Sequence, residues 1–219
     1  MPGSSQPTLT ELVRLWERGW RECRGWAAPE EARGGLRLLL DQPGRHSEVI
    51  ALHDDDATVL GLADEVAAAE RPTWLTVPTT RPDEVERTLR DAGVRPRETR
   101  EWLMTRDLAD HPTRAVPAPY RVTTTARGPV IGVEVRHGDD LAAGGQTSVV
   151  AGHTVPDRIE TRPGHRRRGL GAAVMGALAG EAARRGAHTG VLVASPDGRA
   201  LYTSLGWTAA AAVVIATAA

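Results

Sequence analysis

Residues 162–171 read RPGHRRRGLG, four arginines and three glycines in ten positions, and an apolar periodicity starts directly behind them. Leu170, Val174, Leu178 and Ala182 recur every fourth residue, Met175 and Ala179 fall beside them, and Gly186 ends the run. That spacing predicts a helix with one apolar stripe. Ahead of the loop stands DRIETR, which reads as a strand, and behind the helix stands TGVLVAS, a continuous apolar run typical of a strand covered on both faces. A strand, a glycine-rich loop, a helix and a buried strand in this order belong to a layered α/β fold.

The loop has three readings: a phosphate cradle, a nucleic-acid contact or a solvated helix start. The first turn of a helix leaves N–H groups unpaired and carries partial positive charge, so it suits an anion. Gly169 and Gly171 remove side chains that would hold a diphosphate away, and Arg166, Arg167 and Arg168 add full charge. A bare arginine cluster is disfavoured there, because like charges are unfavourable at a positive dipole end. Two other phosphate loops fail on spacing. Leu170 stands where a P-loop requires lysine, and Val174 fills the third glycine position of a dinucleotide fingerprint.

The composition is that of a globular chain: 41% hydrophobic and 25% charged residues, with a formal net charge of -1. No global basic field favours nucleic acid. The single cysteine, Cys23, excludes an internal disulfide and a cysteine-built metal cluster, and the histidines lack ligand spacing, so no metal is expected. The start MPGSSQPTLT lacks the pattern of a secretory signal, and the apolar tail is shorter than the roughly 20 residues of a membrane span. A cytoplasmic protein without membrane or nucleic-acid partners is the expectation.

Upstream, Thr8 and Glu11 stand in capping-box spacing before Leu9, Leu12, Val13, Trp16 and Trp20, which share one face of an amphipathic helix. SEVIAL and PTWLTV read as strands, ATVLGLADEVAAAE as a helix, and TTRPDEVERTLRDAG as a second helix with Pro82 in its first turn. EWLMTRDL alternates as a strand, and the proline-rich HPTRAVPAP reads as a linker. Beyond it, YRVTTT, PVIGVEVRH, TSVVAG and DRIETR read as successive strands, with GDDLAAGGQ as a turn-rich connection. PDGRALYTSLGW reads as a short helix stopped by Gly206, and AAAVVIATA as a last strand.

Arg166-x-x-Gly169-x-Gly171, between a strand and a long helix, resembles the R/Q-x-x-G-x-G/A pyrophosphate motif of the GNAT superfamily of acyl-CoA N-acyltransferases. GRALYTSLGW resembles that superfamily's closing A-x-x-L-Y-x-x-L-G-F segment, with Gly198 for the alanine and Trp207 for the phenylalanine. The resemblance covers roughly residues 120–219. It implies a mixed, mostly antiparallel twisted sheet with flanking helices, in which DRIETR splays from TGVLVAS and pantetheine lies in the gap. It further implies acetyl-CoA as acyl donor, held by Thr161, Arg162 and Pro163 and by the loop residues Arg166, Arg167, Arg168, Gly169, Leu170, Gly171 and Ala172. Position 195 holds serine where many members have asparagine.

The first half repeats the strand–helix–strand order but has no R-x-x-G-x-G loop. Two tandem GNAT-like halves are therefore expected, a degenerate one over 1–110 and a catalytic one over 111–219. Superfamily members place helices between their first and second strands, for which YRVTTTARGPVIGVEV leaves no room. The first half is expected to supply that wall, with Trp16, Trp20 and Trp26 available to cover it.

The expected reaction is transfer of an acetyl group to a primary amine of a small-molecule or peptide acceptor. An alkylamine of pKa near 10.4 loses its proton at pH 7 at a cost of about 4 to 5 kcal/mol, so a base helps. Glu160 is the expected base, with Glu134 in reserve. Tyr202 matches the family position of the acid that serves the leaving thiolate. An acyl-CoA-binding sensor without transferase activity is the alternative, and a homodimer is compatible with either.

Overall fold

The computed structural model describes residues 7–218. The Thr8 hydroxyl accepts the Glu11 N–H at 3.3 Å, and Glu11 Oε2 accepts the Thr8 N–H at 2.7 Å. This reciprocal cap starts α1 (Leu9–Arg24), which ends where Gly25 turns left-handed at φ 66. Leu12, Val13, Trp16 and Trp20 are buried along it.

The first half continues with β1 (Glu30–Ala32), β2 (Gly35–Gln42), β3 (Arg45–Ala51), α2 (Asp56–Ala67), β4 (Thr73–Thr79), α3 (Pro82–Asp91), β5 (Val94–Pro96) and β6 (Glu101–Asp107). The second half holds β7 (Arg121–Arg127), β8 (Val130–His137), β9 (Asp140–Val150), β10 (His153–Thr161), a 3-10 turn (Pro163–His165), α4 (Leu170–Arg184), β11 (Thr189–Ala194), α5 (Pro196–Ser204) and β12 (Thr208–Ala218). All strands join one sheet in the order β1-β2-β3-β4-β12-β6-β11-β10-β9-β8-β7, with β5 on the end of β12. Among the described residues only β3 with β4 and β10 with β11 run parallel. The sheet is thus mixed and mostly antiparallel, with helices on both faces.

The halves are interlocked by an exchange of last strands. β6 of the first half pairs with β11, and β12 of the second half pairs with β4. β6 and β12 also pair with each other. Alternation along β12 explains why it is held there. Val213 and Ile215 join the core beneath α1, while Val214 and Ala216 join the core beneath α2 and α3. On the second half, α4 buries Leu170, Val174 and Leu178 against β8 and β9 residues such as Val133 and Ala143.

Two segments depart from the sequence expectation. GDDLAAGGQ is not a connection: β9 begins at Asp140 and is paired on both sides, by β8 and β10. Its glycines serve close packing, since a Cβ on Gly145 would lie 3.2 Å from Val174 Cγ1 and 3.4 Å from the Ile159 Cα. The hairpin partner of SEVIAL is a strand, β2, in which Leu36, Leu38 and Leu40 are buried and Arg37, Leu39 and Asp41 are exposed. That two-residue period is visible in GLRLLLDQ once a sheet face is specified.

Candidate active site

β10 and β11 pair only at His153↔Thr189 and Thr154↔Gly190, then diverge. Beyond that point β10 pairs with β9 alone, and β11 with β6. A bulge at Asp157–Glu160, where Arg158 takes φ 55, bends β10 further away. The gap opens into a cleft of about 740 Å³, a volume suited to a cofactor-sized ligand.

One wall of the cleft is the loop into α4. Ser195, Asp55 and Thr8 cap their own helices with side-chain oxygens, whereas α4 begins at Gly169 (φ 75) with no side-chain cap. Its first-turn N–H groups are left for an external anion. A Cβ on Gly171 would lie 3.0 Å from Leu201 Cδ2 and narrow the cleft floor. Thr161, Arg166, Arg167, Gly169, Leu170, Gly171 and Ala172 all border this cleft, together with Glu160 and Tyr202.

The remaining expected ligands sit differently. Arg168 Nη1 donates to the Tyr120 hydroxyl at 3.1 Å, which is also 2.9 Å from His165 Nδ1. Arg162 pairs with Glu160 at 3.3 Å, and Pro163 opens the 3-10 turn; neither borders the cleft. Arg114, from the linker, is brought to the loop instead: its Nη1 would lie 3.1 Å from a Cβ on Gly169. No local pattern in the linker points to it. The linker is fastened there because Gly176 of α4 lets Pro112 and Thr113 approach, at 3.0 and 3.1 Å from its absent Cβ.

Tyr202 stands at a junction. It borders the cleft and also a chamber of about 210 Å³ beneath α1. Burial, and secondarily Asp157, pushes its pKa up to about 12, so the phenol keeps its proton at neutral pH. The chamber draws Trp16, Trp20 and Arg24 from α1, and Arg45, Glu48, Trp74 and Glu101 from the first-half strands. First-half residues thus form most of its lining, and Trp26 packs edge-on against Trp20 at 4.7 Å without bordering the space.

Carboxylates in the chamber differ in state. Asp157 is bidentate on Arg24 at 2.6 and 2.7 Å and accepts Gln146 Nε2 at 2.9 Å. Glu48 is fully buried, pairs with Arg45 and accepts the Thr76 hydroxyl at 2.6 Å; burial raises its pKa. Glu101 has no ion-pair partner within 4.0 Å among the described residues, and burial raises its pKa while Arg97 and Arg45 oppose the rise. Glu160 borders the cleft, outside the chamber, with its side chain 61% exposed. Glu134 pairs with Arg136 at 3.0 Å on the outer strands. Cys23 is pushed up to about 12, chiefly by burial, which leaves it an unreactive thiol.

The corresponding place in the first half is closed. β3 and β4 stay paired over Ser47–Ile50, and the helix that follows opens on Asp54, Asp55 and Asp56 where α4 has arginines and glycines before it. Asp55 Oδ1 accepts the Thr58 N–H at 3.0 Å, and Arg81 bonds Asp56 at 2.7 Å. A diphosphate would meet carboxylates there.

The FR47-like protein family matches residues 154–215, the segment from β10 through β12. No curated protein matches the sequence. Among solved structures, a GCN5-related N-acetyltransferase from Kribbella flavida superposes with a TM-score of 0.67 at 18% identity, over 97% of this chain and 96% of that one. A tandem GNAT protein from the clavulanic acid biosynthesis pathway gives 0.60 at 15% identity, over 83% and 77%. A GNAT-family acetyltransferase structure from Novosphingobium aromaticivorans gives 0.59 at 17% identity, over 94% and 96%. The family match lies in the second half, and over nearly its whole length the chain shares the fold of these GNAT structures, the tandem one included.

Proposed function

We propose that the chain transfers an acetyl group from acetyl-CoA to a primary amine of a small molecule or peptide, using one site in its second half. The reading is carried by Tyr202, a protonated phenol that borders both a cleft under an uncapped helix N-terminus and a separate chamber. In this reading the diphosphate lies against the first turn of α4, flanked by Arg166, Arg167 and Arg114, and pantetheine occupies the gap between β10 and β11. The halves correspond to residues 1–110 and 111–219, the first serving the acceptor side.

In the reaction the amine nitrogen bonds to the thioester carbonyl carbon, the C–S bond breaks, and the amine proton passes through a carboxylate to the leaving thiolate, which departs as the thiol. Glu160, at the cleft, and Glu101, in the chamber with Tyr202, are the two carboxylates that can receive it. A thiol near pKa 8.5 is a stronger acid than a phenol at about 12, so Tyr202 serves the departing sulfur as a hydrogen-bond donor and retains its proton. Tyr202→Phe should lower kcat by about tenfold to thousandfold with little change in acetyl-CoA affinity. Calorimetry should give one acetyl-CoA per chain, lost in Gly169→Glu. Binding without turnover of any amine would leave the sensor reading; absence of binding would remove both.

A further inference from the structure

We infer that the chamber beneath α1 selects a small amine that also carries a carboxylate, with the amine toward Tyr202 and the carboxylate toward Arg97 and Arg45. The inference rests on the acyl-transfer reading of the cleft and adds the class of acceptor.

Size is the first constraint. At ~30 Å³ per water, a chamber of about 210 Å³ holds roughly seven waters, the bulk of a compact metabolite rather than a folded peptide segment. Its roof is α1, whose Trp16 and Trp20 stack at 5.1 Å and 12°.

Charge is the second. The lining holds Arg24, Arg45, Arg97 and Arg158 against Glu48, Glu101 and Asp157, a balance of one positive charge. Arg24 is used by Asp157, and Arg45 by Glu48. Among the described residues Arg97 has no carboxylate within 4.0 Å; Glu101 acts on it only at longer range. A polyamine would add cations to a site already positive, whereas an amino carboxylate brings its own anion.

Position is the third. Arg45 and Arg97 both lie against the Trp74 indole, at 4.5 and 5.1 Å from the ring centroid, which gathers two guanidiniums at one ring. Arg45 is already paired with Glu48 and its Nε is buried, so Arg97 is the guanidinium that takes the carboxylate and Arg45 adds charge beside it. The Arg97 N–H bonds to Ile215 of β12, two strands from β11 and the cleft. Arg97 and Tyr202 line the same chamber, so a short amino carboxylate held at Arg97 can turn its amine toward the phenol.

The test uses the full chain and the tryptophans of the chamber. Intrinsic fluorescence is titrated with 6-aminohexanoate, its amide, and spermidine, with and without acetyl-CoA, alongside a thermal shift for acetyl-CoA alone. The carboxylate should bind at least ~10-fold tighter than the amide, and tighter than spermidine. Arg97→Gln should erase that preference while the acetyl-CoA thermal shift persists, and Arg97→Lys should keep part of it. Equal binding of acid and amide, tighter binding of spermidine, or no binding of any of the three overturns the inference. An absent acetyl-CoA shift instead strikes the acyl-transfer reading, independently of the fluorescence result.

Discussion

Gly190→Ala places one methyl group at the apex of the gap. Gly190 is opposite Thr154 in the last paired register before β10 and β11 separate, and the indole of Trp207 lies against its α-carbon. A Cβ there would be 3.1 Å from both Cζ2 and Cζ3 of Trp207, and closer still to Cη2. Carbon pairs rest at about 3.5–4.0 Å, so the ring must move by several tenths of an ångström or more. It has little room: Trp207 is 2% exposed and its Nε1 donates to His111 Nε2 at 3.3 Å. Overpacking of this kind costs about 1–3 kcal/mol, which for a chain of this size lowers Tm by about 2–12 °C. Differential scanning calorimetry of the purified variant measures it. Pairing the change with Trp207→Leu should be less harmful than the two single effects added, because the smaller side chain vacates the overlap. An unchanged Tm for Gly190→Ala, or strict additivity in the double variant, would refute the claim that the apex is shaped by this contact.

Arg114→Ala should weaken acetyl-CoA by about 10- to 150-fold, the loss of one charge-assisted contact, with Tm unchanged in the absence of ligand; calorimetric titration decides it. Burial, with Arg106 adding to it, lowers the His111 pKa from the ordinary 6.5, so unfolded chains take up the proton first as pH falls. Stability is therefore lost as pH drops below about 6.5 toward the folded value, and His111→Gln should show a flatter fall of Tm over that window. A chain beginning at Val116 keeps β7–β12 but loses β4 and β6, the neighbours of β12 and β11; it should fail to give a cooperative melt by circular dichroism.

Local pattern carried much of this protein. Capping at Thr8, the helical stripe from Leu170, and the uncapped Gly169–Gly171 loop depend on neighbours within a few residues, and backbone sterics and hydrogen bonding act at that range. The loop's charge and its place between a strand and a helix were therefore readable, as was Tyr202 in its segment. β2 and the start of β9 were not, because glycines and leucines become strand only when partners supply a second set of hydrogen bonds. Tertiary structure alone decided the rest. Arg114 reaches the loop across 55 residues of sequence, and Glu101, Arg97 and Trp74 meet Asp157 and Tyr202 only because β6 and β12 are exchanged between the halves. Such pairings follow from which edges best complete one sheet, a comparison between distant segments that no local periodicity records.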